Sequence, residues 1–451
     1  MRFLIKFRKS VMLFLKMLIV ASVTLAFLSV WFYFYTDAML YRNGNYLILF
    51  SFVLLFVVFS RTFGAFKIGI YRIHEVIYYF FISLLLTNFF TYLELSLIAR
   101  YLLNPLPLLL VILYQLVAVS IGSYCANHVY FTLYKARRML ALFGDEEDFK
   151  LIHQMRSIPA RFRIEQGVNA NTISMEEIRR LIDKYESVII CNVDKNKEKE
   201  IILYCYENQK RTYLLPSITD VILNNSYAIQ IGDIPVLMGR NRGLTTEQQI
   251  IKRMFDILLS SILLVLFAPL MLITAIAVKL HDGGPVLFRQ NRVGKDGKIF
   301  NIYKFRSMVV GADRMGSNFT QENDSRITKV GRVIRTLRID EFPQLFNVLR
   351  GNMSLVGPRP ESVENVYKYS CRYPEFDLRH KVKSGLTGYA QVYGKSNTDP
   401  LNKLNMDLFY IETYSPLLDF KIMLLTVKTI FTKGSSEGFD SSQVSLPRNR
   451  E

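Results

Sequence analysis

Four long apolar runs fill the first third of the chain, and short polar connections separate them. The runs cover approximately Val11–Tyr35, Tyr46–Phe66, Val76–Ala99 and Leu106–Tyr130. Each is close to the roughly 20 residues that a helix needs to cross a bilayer. The first run is too long for a secretory signal and lacks a small-residue cleavage site. The pattern therefore predicts a four-helix transmembrane domain over residues 1–137.

Charges around these runs predict their orientation. Basic residues cluster before the first run, around the second connection and after the fourth run, whereas the other two connections hold only Arg42 and Arg100. The excess of Lys and Arg on cytoplasmic loops then places both ends of the domain in the cytoplasm. Glu94, late in the third run, is an intramembrane acid and so a functional candidate. The alternative is that its carboxylate reaches the membrane interface.

A more polar stretch, residues 138–245, follows the four runs. It contains the β-branched run "SVIICNV" (Ser187–Val193), the helical spacing of "KEKEIILYCYENQ" (Lys197–Gln209) and the short strand "TYLLP" (Thr212–Pro216). A strand, a helix and a second strand predict a parallel, Rossmann-like α/β domain. Only Gly144 lies where a glycine-rich turn would be needed, so a structural or regulatory role is favoured over nucleotide binding.

A fifth apolar stretch, Met254–Val278, is long enough to span a membrane. Basic residues flank both of its ends, which favours placing both ends in the cytoplasm. Pro269 lies near its middle, where it removes a backbone hydrogen bond and bends a helix. These features predict a re-entrant helix over residues 254–280 that enters the membrane, kinks and returns. A kinked spanning helix is the alternative.

Composition and charge narrow the partners. The chain has 451 residues, is 51% hydrophobic and carries a formal net charge of +18, which fits a membrane protein with anionic partners. The cations concentrate at the predicted membrane edges and in phosphate-like motifs, so nucleic acid is a poor explanation for the charge. The four cysteines are scattered and form no CxxC pair, so neither a zinc site nor a disulfide framework is indicated.

The segment "GGPVLFRQNRVGKDGKIFNIYKFRSM" (Gly283–Met308) is rich in cations. Its β-like end brings Lys304 and Arg306 to the same side of an extended chain, two residues apart. Two cations on one face suit a diphosphate. The alternative is a basic skirt that faces the membrane.

The stretch "RIDEFPQLFNVLRGNMSLVGPRPE" (Arg338–Glu361) places Asp340 and Glu341 side by side among arginines. It predicts two helical pieces broken before Pro343, with the carboxylates at the break. Such a pair can hold Mg²⁺ or supply a nucleophile for phosphoryl transfer. Arg335 and Arg338 can neutralise phosphate charge, and the stiff "GPRP" turn holds Arg359 as a phosphate clamp. An ion-paired structural helix is the alternative.

Three motifs now identify a family. The stretches "QNRVGKDGKIFNIYKFRSM", "RIDEFPQLFNVLRGNMSLVGPRP" and "SGLTGYAQVYGKSN" resemble the bacterial sugar transferases, which are polyprenyl-phosphate hexose-1-phosphate transferases of the monotopic phosphoglycosyl transferase type. The resemblance extends from about Lys252 to the C-terminus. The preceding helices and α/β domain look like those of long-form members that begin exopolysaccharide, capsule or O-antigen synthesis at the bacterial inner membrane.

The resemblance implies a fold, a reaction and roles for residues. The fold is a membrane α+β protein whose monotopic α/β catalytic domain, residues 246–433, lies on the cytoplasmic face. Asp340 would attack the β-phosphate of a UDP-sugar, release UMP and pass the phosphosugar to undecaprenyl phosphate, with Mg²⁺ as cofactor. Glu341 would lie near the metal or assist the lipid phosphate. The residues that would bind phosphate or substrate are Gln290, Arg292, Lys304, Arg306, Arg335, Arg338 and Arg359.

Other consequences of the resemblance are less specific. Glucose or galactose is the expected sugar, and long-form relatives suggest a homodimer. The helix-breaking pair of the family is often Ser-Pro, but here it is Ala268–Pro269, so the serine hydroxyl that could satisfy a freed carbonyl is absent.

The C-terminal end of the chain leaves two interpretations open. Phe409–Phe431 has helical spacing and is apolar enough to lie against headgroups, or it packs into the core. Residues 434–451 are polar and predict a disordered tail.

Two other functions compete with the transferase. One is a non-catalytic membrane scaffold of a polysaccharide assembly complex, against which the intact Asp340, Glu341, Lys304, Arg306 and Arg359 argue. The other is a glycosyl transferase that transfers the sugar without its phosphate and releases UDP rather than UMP.

Overall fold

The computed structural model describes residues 7–40, 43–144, 162–224, 226–231, 233–239, 243–312, 324, 326–394 and 398–431. These residues form two compact units, Met1–Leu215 and Pro216–Glu451. The division falls before Pro216, earlier than the predicted boundary after residue 245. The predicted disordered tail, residues 434–451, lies outside the described residues.

The first unit begins with four long helices at the predicted apolar runs. They are α1 (Arg8–Phe34), α2 (Gly44–Phe63), α3 (Ile73–Ala99) and α4 (Leu106–Leu133). All four are long and apolar enough to cross a membrane. Large apolar side chains on these helices, such as Leu25 and Leu97, are 65% and 80% exposed, as expected of a surface that faces lipid rather than water. The prediction of four apolar helices is confirmed.

Polar side chains join these helices inside the bundle. The Asn88 amide on α3 donates to Gln115 Oε1 on α4 at 2.8 Å, and Gln115 donates in turn to the Val23 carbonyl of α1 at 3.3 Å. The Glu94 carboxylate accepts a 2.6 Å hydrogen bond from Ser51 on α2. Hydrogen bonds between helices are a common way to fix packing where lipid supplies no hydrophobic drive. Glu94 is therefore engaged within the bundle.

A parallel sheet forms the rest of the first unit. Its strands are β1 (Arg138–Phe143), β2 (Arg163–Asn169), β3 (Ser187–Cys191) and β4 (Arg211–Leu214), in the spatial order β2-β1-β3-β4. Helices α5 (Met175–Asp183) and α6 (Lys195–Glu207) connect the later strands. All strand pairs are parallel, and β3 is buried along its length. The predicted βαβ unit is thus present.

The carboxyl edge between β1 and β3 is filled by the chain itself. A Cβ at Gly144 would lie 2.0 Å from the Asn192 carbonyl oxygen, so glycine is required there by close backbone approach. The Asn169 amide donates to the Gly144 carbonyl at 3.1 Å, and Asn171 accepts from the Asp194 amide at 3.2 Å. Nucleotides in Rossmann folds enter at this kind of edge. The packing fits the structural or regulatory interpretation of the domain.

The second unit opens with elements that were predicted to belong to the middle domain. Helix α7 (Ile218–Leu223) packs against a later helix, and its Val221 lies in the same core as Leu404 and Leu408. A hairpin follows, formed by β5 (Tyr227–Ile231) and β6 (Ile234–Met238). Residues 218–223 therefore contribute to the core of the second unit.

Helix α8 (Thr246–Asp282) is the fifth helix that is apolar and long enough to cross a membrane. It runs for 37 residues, about 55 Å at the rise of an α-helix, and continues through Pro269. A capping box at Thr245 and Gln248 fixes its start, and Gly283, at φ +71°, ends it. The helix is uninterrupted at Pro269, and the predicted bend there stays a prediction.

One side of α8 packs against the rest of the second unit at its start, its middle and its end. Near its start, Asp256 accepts hydrogen bonds from the Leu355 amide at 2.9 Å and the Ser354 hydroxyl at 3.0 Å. In the middle, the Phe267 and Phe342 rings lie 4.6 Å apart between centroids. At its end, Asp282 pairs with Arg306. The opposite side is exposed, with Val265 78% and Leu280 80% accessible.

The remaining elements surround the candidate site. They are β7 (Leu287–Val293), β8 (Ile299–Phe305), α9 (Lys329–Thr336), α10 (Gln344–Arg350), β9 (Ser354–Val356), α11 (Val363–Arg372), β10 (Gly385–Thr387), α12 (Tyr389–Tyr393), α13 (Pro400–Glu412) and α14 (Pro416–Phe431). Strands β7 and β8 form an antiparallel hairpin, and β9 pairs with β10 in parallel. Their core includes Leu345, Val348, Val356 and Phe376.

The C-terminal stretch Phe409–Phe431 is two helices rather than one. Helix α13 ends at Glu412, and α14 starts at Pro416, because proline favours the first turn of a helix and cannot continue an earlier one. Tyr410, Ile411 and Ile422 lie in the core, whereas Leu417 and Val427 are exposed. The inner face matches the core-packing interpretation.

Candidate active site

The two adjacent carboxylates lie in a short break between helices, as predicted. Helix α9 ends at Thr336, a 3-10 turn spans Ile339–Glu341, and α10 begins at Gln344. Arg338 has φ +53°, a left-handed conformation that is unfavourable for a side chain with a Cβ. Arg338 lies between the two helices, and the turn that follows it brings Glu341 Oε1 within 3.6 Å of Lys304 Nζ on the strand hairpin.

Three cations surround Glu341. Its Oε1 lies 3.1 Å from Arg359 Nη2 and 3.6 Å from Lys304 Nζ. Its Oε2 lies 3.9 Å from Arg338 Nη1. The Glu341 side chain is only 13% exposed, so these attractions are weakly screened. The helix break, strand β8 and the "GPRP" turn therefore meet at a single carboxylate.

The environment separates the acidities of the two carboxylates. Burial opposes ionisation of Glu341, but Arg359, Lys304 and Arg338 outweigh it and lower its pKa to about 2. Burial and the charge of Glu341 raise the pKa of Asp340 to about 6, although Lys304, Arg335 and Arg359 oppose that rise. Two neighbouring acids with divergent pKa values are a sign of different chemical roles.

Asp340 differs from Glu341 in its contacts as well. Within the part of the chain that the structure describes, no hydrogen bond or ion pair holds the Asp340 carboxylate. Its oxygens are thus available to a ligand, whereas those of Glu341 lie 3.1–3.9 Å from the nitrogens of three cationic side chains. The positive charge of Arg335, in the last turn of α9, lowers the pKa of Asp340 and partly offsets the effect of burial.

Lys304 is positioned by a clamp that the sequence did not reveal. Asn347 on α10 is fully buried; its amide donates to the Asn301 carbonyl at 2.7 Å, and its Oδ1 accepts from the Tyr303 amide at 3.1 Å. Both partners belong to β8, so the helix that follows the carboxylates is fixed to the strand that carries Lys304. Burial lowers the pKa of Lys304, and Glu341 opposes that effect.

Gln290 and Arg292, two predicted substrate-binding residues, support the "GPRP" turn. Arg292 Nη1 donates to the Pro360 carbonyl at 3.1 Å, and its Nη2 donates to Gln290 Oε1 at 2.6 Å. Burial and the nearby Arg359 lower the pKa of Arg292. The pair lies beside the cluster and reaches it through the turn.

Arg306 does not join Lys304 at the carboxylates, contrary to the expectation that the two cations share one face. Its guanidinium binds both oxygens of Asp282, with Nη1 2.7 Å from Oδ2. Strand β8 ends at Phe305, so the alternation of side chains stops before Arg306. Gly284 makes room for this pair, because a Cβ there would lie 2.6 Å from Arg306 Nη1. Arg306 instead secures the end of α8.

A second charged group behind Arg359 was also missed. Four charged side chains interact electrostatically there: Glu361, Arg379, Lys403 and Asp407. Arg379 and Asp407 form an ion pair at 2.6 Å and are 3% and 2% exposed. No spacing in the sequence separates these residues from ordinary surface charges. Only the fold brings them together.

The two carboxylates suit a metal ion whose remaining ligands come from the substrate and water. Among the described residues, no group of three His, Cys, Asp or Glu side chains could hold a metal ion. Asp340 and Glu341 provide two carboxylates, and Mg²⁺ typically takes one or two together with phosphate oxygens and water. The donor set therefore suits Mg²⁺ bound with a diphosphate.

Comparison with known proteins places the second unit in a family. The family described as bacterial sugar transferase matches residues 247–433. A UDP-N-acetylgalactosamine-undecaprenyl-phosphate N-acetylgalactosaminephosphotransferase of Aeromonas hydrophila is 49% identical over 185 residues, 40% of this chain and 44% of that protein. A UDP-glucose:undecaprenyl-phosphate glucose-1-phosphate transferase of Caulobacter vibrioides is 45% identical over 186 residues, 40% of this chain and 70% of that protein.

A third relative is covered almost completely. An exopolysaccharide production protein of Rhizobium leguminosarum is 40% identical over 194 residues, which is 41% of this chain and 97% of that protein. The chain spans about half the length of several other curated relatives, including glucose-1-phosphate transferases of Klebsiella pneumoniae and Escherichia coli.

Proposed function

Because the chain belongs to the bacterial sugar transferase family, we propose that it transfers a sugar 1-phosphate from a UDP-sugar to undecaprenyl phosphate and releases UMP. The contrast between Asp340 and Glu341 carries this proposal. One carboxylate is neutralised by Arg359, Lys304 and Arg338, and the other is free of partners among the described residues. A nucleophile beside a preformed cationic site is what transfer of a phosphosugar requires.

The first step forms a covalent intermediate on Asp340. A carboxylate oxygen of Asp340 attacks the β-phosphorus of the UDP-sugar, and the bond from that phosphorus to the bridging oxygen breaks. UMP leaves with the bridging oxygen, and the sugar phosphate remains on Asp340. Lys304 and Arg359 lie beside this carboxylate pair and would stabilise the charge that develops on the phosphoryl oxygens.

The second step returns the carboxylate. An oxygen of undecaprenyl phosphate attacks the same phosphorus, and the bond from phosphorus to Asp340 breaks. The product is a lipid diphosphate sugar, and Asp340 regains its negative charge. Glu341 keeps Lys304, Arg338 and Arg359 in place during both steps, because it pairs with all three.

We also propose Mg²⁺ as the cofactor, held by Asp340 and Glu341 together with diphosphate oxygens. When bound, the metal would neutralise charge on the diphosphate. The donor set at the break between α9 and α10 supports this assignment, because two carboxylates suit a metal that completes its shell with substrate.

Helix α8 supports attachment to one face of the inner membrane. Its start, middle and end all contact the second unit, through Asp256, Phe267 and Asp282. A helix that spanned the bilayer alone would carry one of these contacts out of reach. A helix embedded along its exposed apolar side keeps them all and holds the site at the headgroups, where a soluble nucleotide and a lipid phosphate can meet. The positive charge on both flanks favours the cytoplasmic face.

The sugar is proposed as a hexose. Glucose and galactose are the donors expected for long-form members, and the names of the relatives add N-acetylgalactosamine to the donors to be tested. The scaffold alternative has no support in the site, because the carboxylates and their cations are assembled. Homodimer formation remains a prediction of the resemblance.

Nucleotide release tests the proposal. Purified protein in detergent is mixed with Mg²⁺, undecaprenyl phosphate and each of UDP-glucose, UDP-galactose and UDP-N-acetylgalactosamine, and the released nucleotide is identified. We expect UMP with one of these donors, dependent on lipid and metal. Release of UDP would instead establish a glycosyl transferase, and no nucleotide from any donor would favour the scaffold.

A further inference from the structure

The "GPRP" turn (Gly357–Pro360) and the following Glu361 are held through carbonyl groups by four separate donors. The Pro358 carbonyl accepts from the Gly385 amide at 2.9 Å, and the Arg359 carbonyl accepts from Arg379 Nη2 at 3.0 Å. The Pro360 carbonyl accepts from Arg292 Nη1 at 3.1 Å, and that of Glu361 accepts from the Val293 amide at 3.1 Å. Every carbonyl from Pro358 to Glu361 is thus bound by a group outside the turn.

Sequence explains why the turn is held this way. Pro358 and Pro360 have no N–H and cannot form ladder hydrogen bonds as donors. The Arg359 side chain is 41% exposed and meets Glu341 at its tip, so it does not anchor the turn by burial. The backbone that carries the Arg359 guanidinium is therefore held by these donors together with the buried Pro358 and Pro360.

Arg379 is the donor that reaches Arg359 itself. Its Nη2 contacts both the Arg359 carbonyl and Asp407 Oδ2, the latter at 2.6 Å. Its guanidinium also lies 4.9 Å from the centre of the Phe376 ring. The side chains of Arg379 and Asp407 are 3% and 2% exposed, so Arg379 is held between a helix residue, a ring and the turn. An arginine confined in this way makes a rigid support.

We propose that Arg379, oriented by Asp407 on α13, is a positioning residue that fixes Arg359 against the reacting phosphate. It acts through the Arg359 backbone and does not itself touch Glu341 or Asp340 by any contact in the described residues. The inference rests on the proposed function, because it assigns to Arg359 the role of a phosphate clamp. Displacing a catalytic group by about 1 Å can cost on the order of 10²-fold in rate, so a backbone anchor can matter as much as a contact.

A double-mutant cycle on UMP release tests the coupling. We expect Arg359→Gln and Arg379→Gln each to lower kcat by about 10²-fold. If Arg379 acts through Arg359, the double variant will match Arg359→Gln to within about twofold. A double variant that loses the product of the two single effects, about 10⁴-fold, would overturn the proposal, since independent sites add in free energy.

The buried pair of Lys252 and Asp419 supplies a matched control. Lys252 Nζ lies 2.5 Å from Asp419 Oδ2, the two side chains are 8% and 13% exposed, and among the described residues neither contacts a carbonyl from Pro358 to Glu361. Lys252→Gln should combine additively with Arg359→Gln. Coupling as strong as that of Arg379 would show that any buried ion pair of this unit perturbs Arg359, and the specific role of Arg379 would be lost.

A second readout does not need turnover. Hydrogen exchange measured by mass spectrometry on the full chain in detergent, without substrate, should be faster at the Gly385 and Val293 amides in Arg379→Gln and in Asp407→Asn, because these amides donate to the Pro358 and Glu361 carbonyls on either side of Arg359. Asp407→Asn keeps the size of the side chain and is used if Arg379→Gln does not fold. Exchange equal to that of the wild type in the folded variant would refute the anchor. Absence of UMP release from the wild type would refute the proposed function and leave this measurement valid.

Discussion

Arg359 Nη2 lies 3.1 Å from Glu341 Oε1, and the carboxylate next to Glu341 in the chain, Asp340, has no such partner among the described residues. The two acids differ because Glu341 pairs with Lys304 of the strand hairpin and with Arg359 of the "GPRP" turn, whereas Asp340 forms no ion pair among the described residues. The charge of Arg359 lowers the pKa of Glu341 and keeps that side chain ionised, whereas burial raises the pKa of Asp340. Identical functional groups thereby acquire different roles.

Replacing the nucleophile should abolish turnover. Asp340→Asn keeps the shape of the side chain but cannot form the covalent intermediate, so we expect UMP release to fall by at least about 10³-fold. UMP release under saturating UDP-sugar measures this loss. Glu94→Gln is the matched control: Glu94 accepts a hydrogen bond from Ser51 that glutamine can also accept, so its activity should change little. Full activity in the Asp340 variant would contradict the covalent mechanism.

The pH profile should report Asp340. Its pKa is raised to about 6, and only the ionised form can attack phosphorus, so kcat/KM should rise as pH increases from 5 to 7. Measurement uses UMP release in buffers of constant ionic strength. Arg335→Gln removes a cation that lowers the pKa of Asp340, so the midpoint should move to higher pH. An unchanged midpoint in that variant would show that the pH profile reports a group other than Asp340.

Two neighbouring cations should behave differently. Lys304 contacts Glu341, so Lys304→Gln should lower kcat by about 10²–10³-fold. Arg306 binds Asp282 instead, so Arg306→Gln should mainly lower the free energy of unfolding and leave kcat of the folded protein nearly unchanged. Steady-state kinetics and thermal denaturation in detergent distinguish the two effects. If Arg306→Gln lowered kcat as much as Lys304→Gln without lowering stability, Arg306 would have a role in phosphate binding.

Asn347 should matter for stability and for placement of Lys304. Asn347→Leu leaves the Asn301 carbonyl and the Tyr303 amide without their partner, which should cost about 1–3 kcal/mol. Denaturation measures that cost, and kcat of the folded variant measures the displacement of Lys304. Asn365→Leu, on the surface helix α11, serves for comparison and should be close to neutral in both measurements. An unaffected Tm in Asn347→Leu would argue against the clamp.

Metal removal should stop the reaction reversibly. Because the described residues offer two carboxylates and no complete cage, the metal should bind weakly without substrate and be removed by EDTA. We expect UMP release to disappear with EDTA and to return with excess Mg²⁺. Activity that persists after dialysis against EDTA would contradict the requirement.

Much of the site was predictable because its residues follow one another closely in the chain. The helix break at Asp340 and Glu341 followed from Pro343, and the long apolar runs followed from hydropathy, since both are local properties. The destination of Arg306 was not predictable, because it depends on where α8 ends in space. Asn347 and Arg379 were missed for a similar reason: their partners are 44 to 46 and 20 residues away.

The boundary before Pro216 illustrates the same limit. Residues 218–223 have helical spacing that fits either unit, and only packing of Val221 with Leu404 and Leu408 assigns them. The stop between α13 and α14 was not predicted, because the helical spacing of Phe409–Phe431 continues across Pro416.

Helix α8 has a consequence for any attempt to make this protein water-soluble. Asp256 supplies the acceptor for the first residues of β9, the strand that leads into the "GPRP" turn, and Val278 completes the packing around Phe305 and Ile339. Deleting the helix would therefore remove part of the catalytic interior along with the anchor. A fragment beginning after Gly283 should misfold, and an unrelated hydrophobic tether could not replace what was cut away.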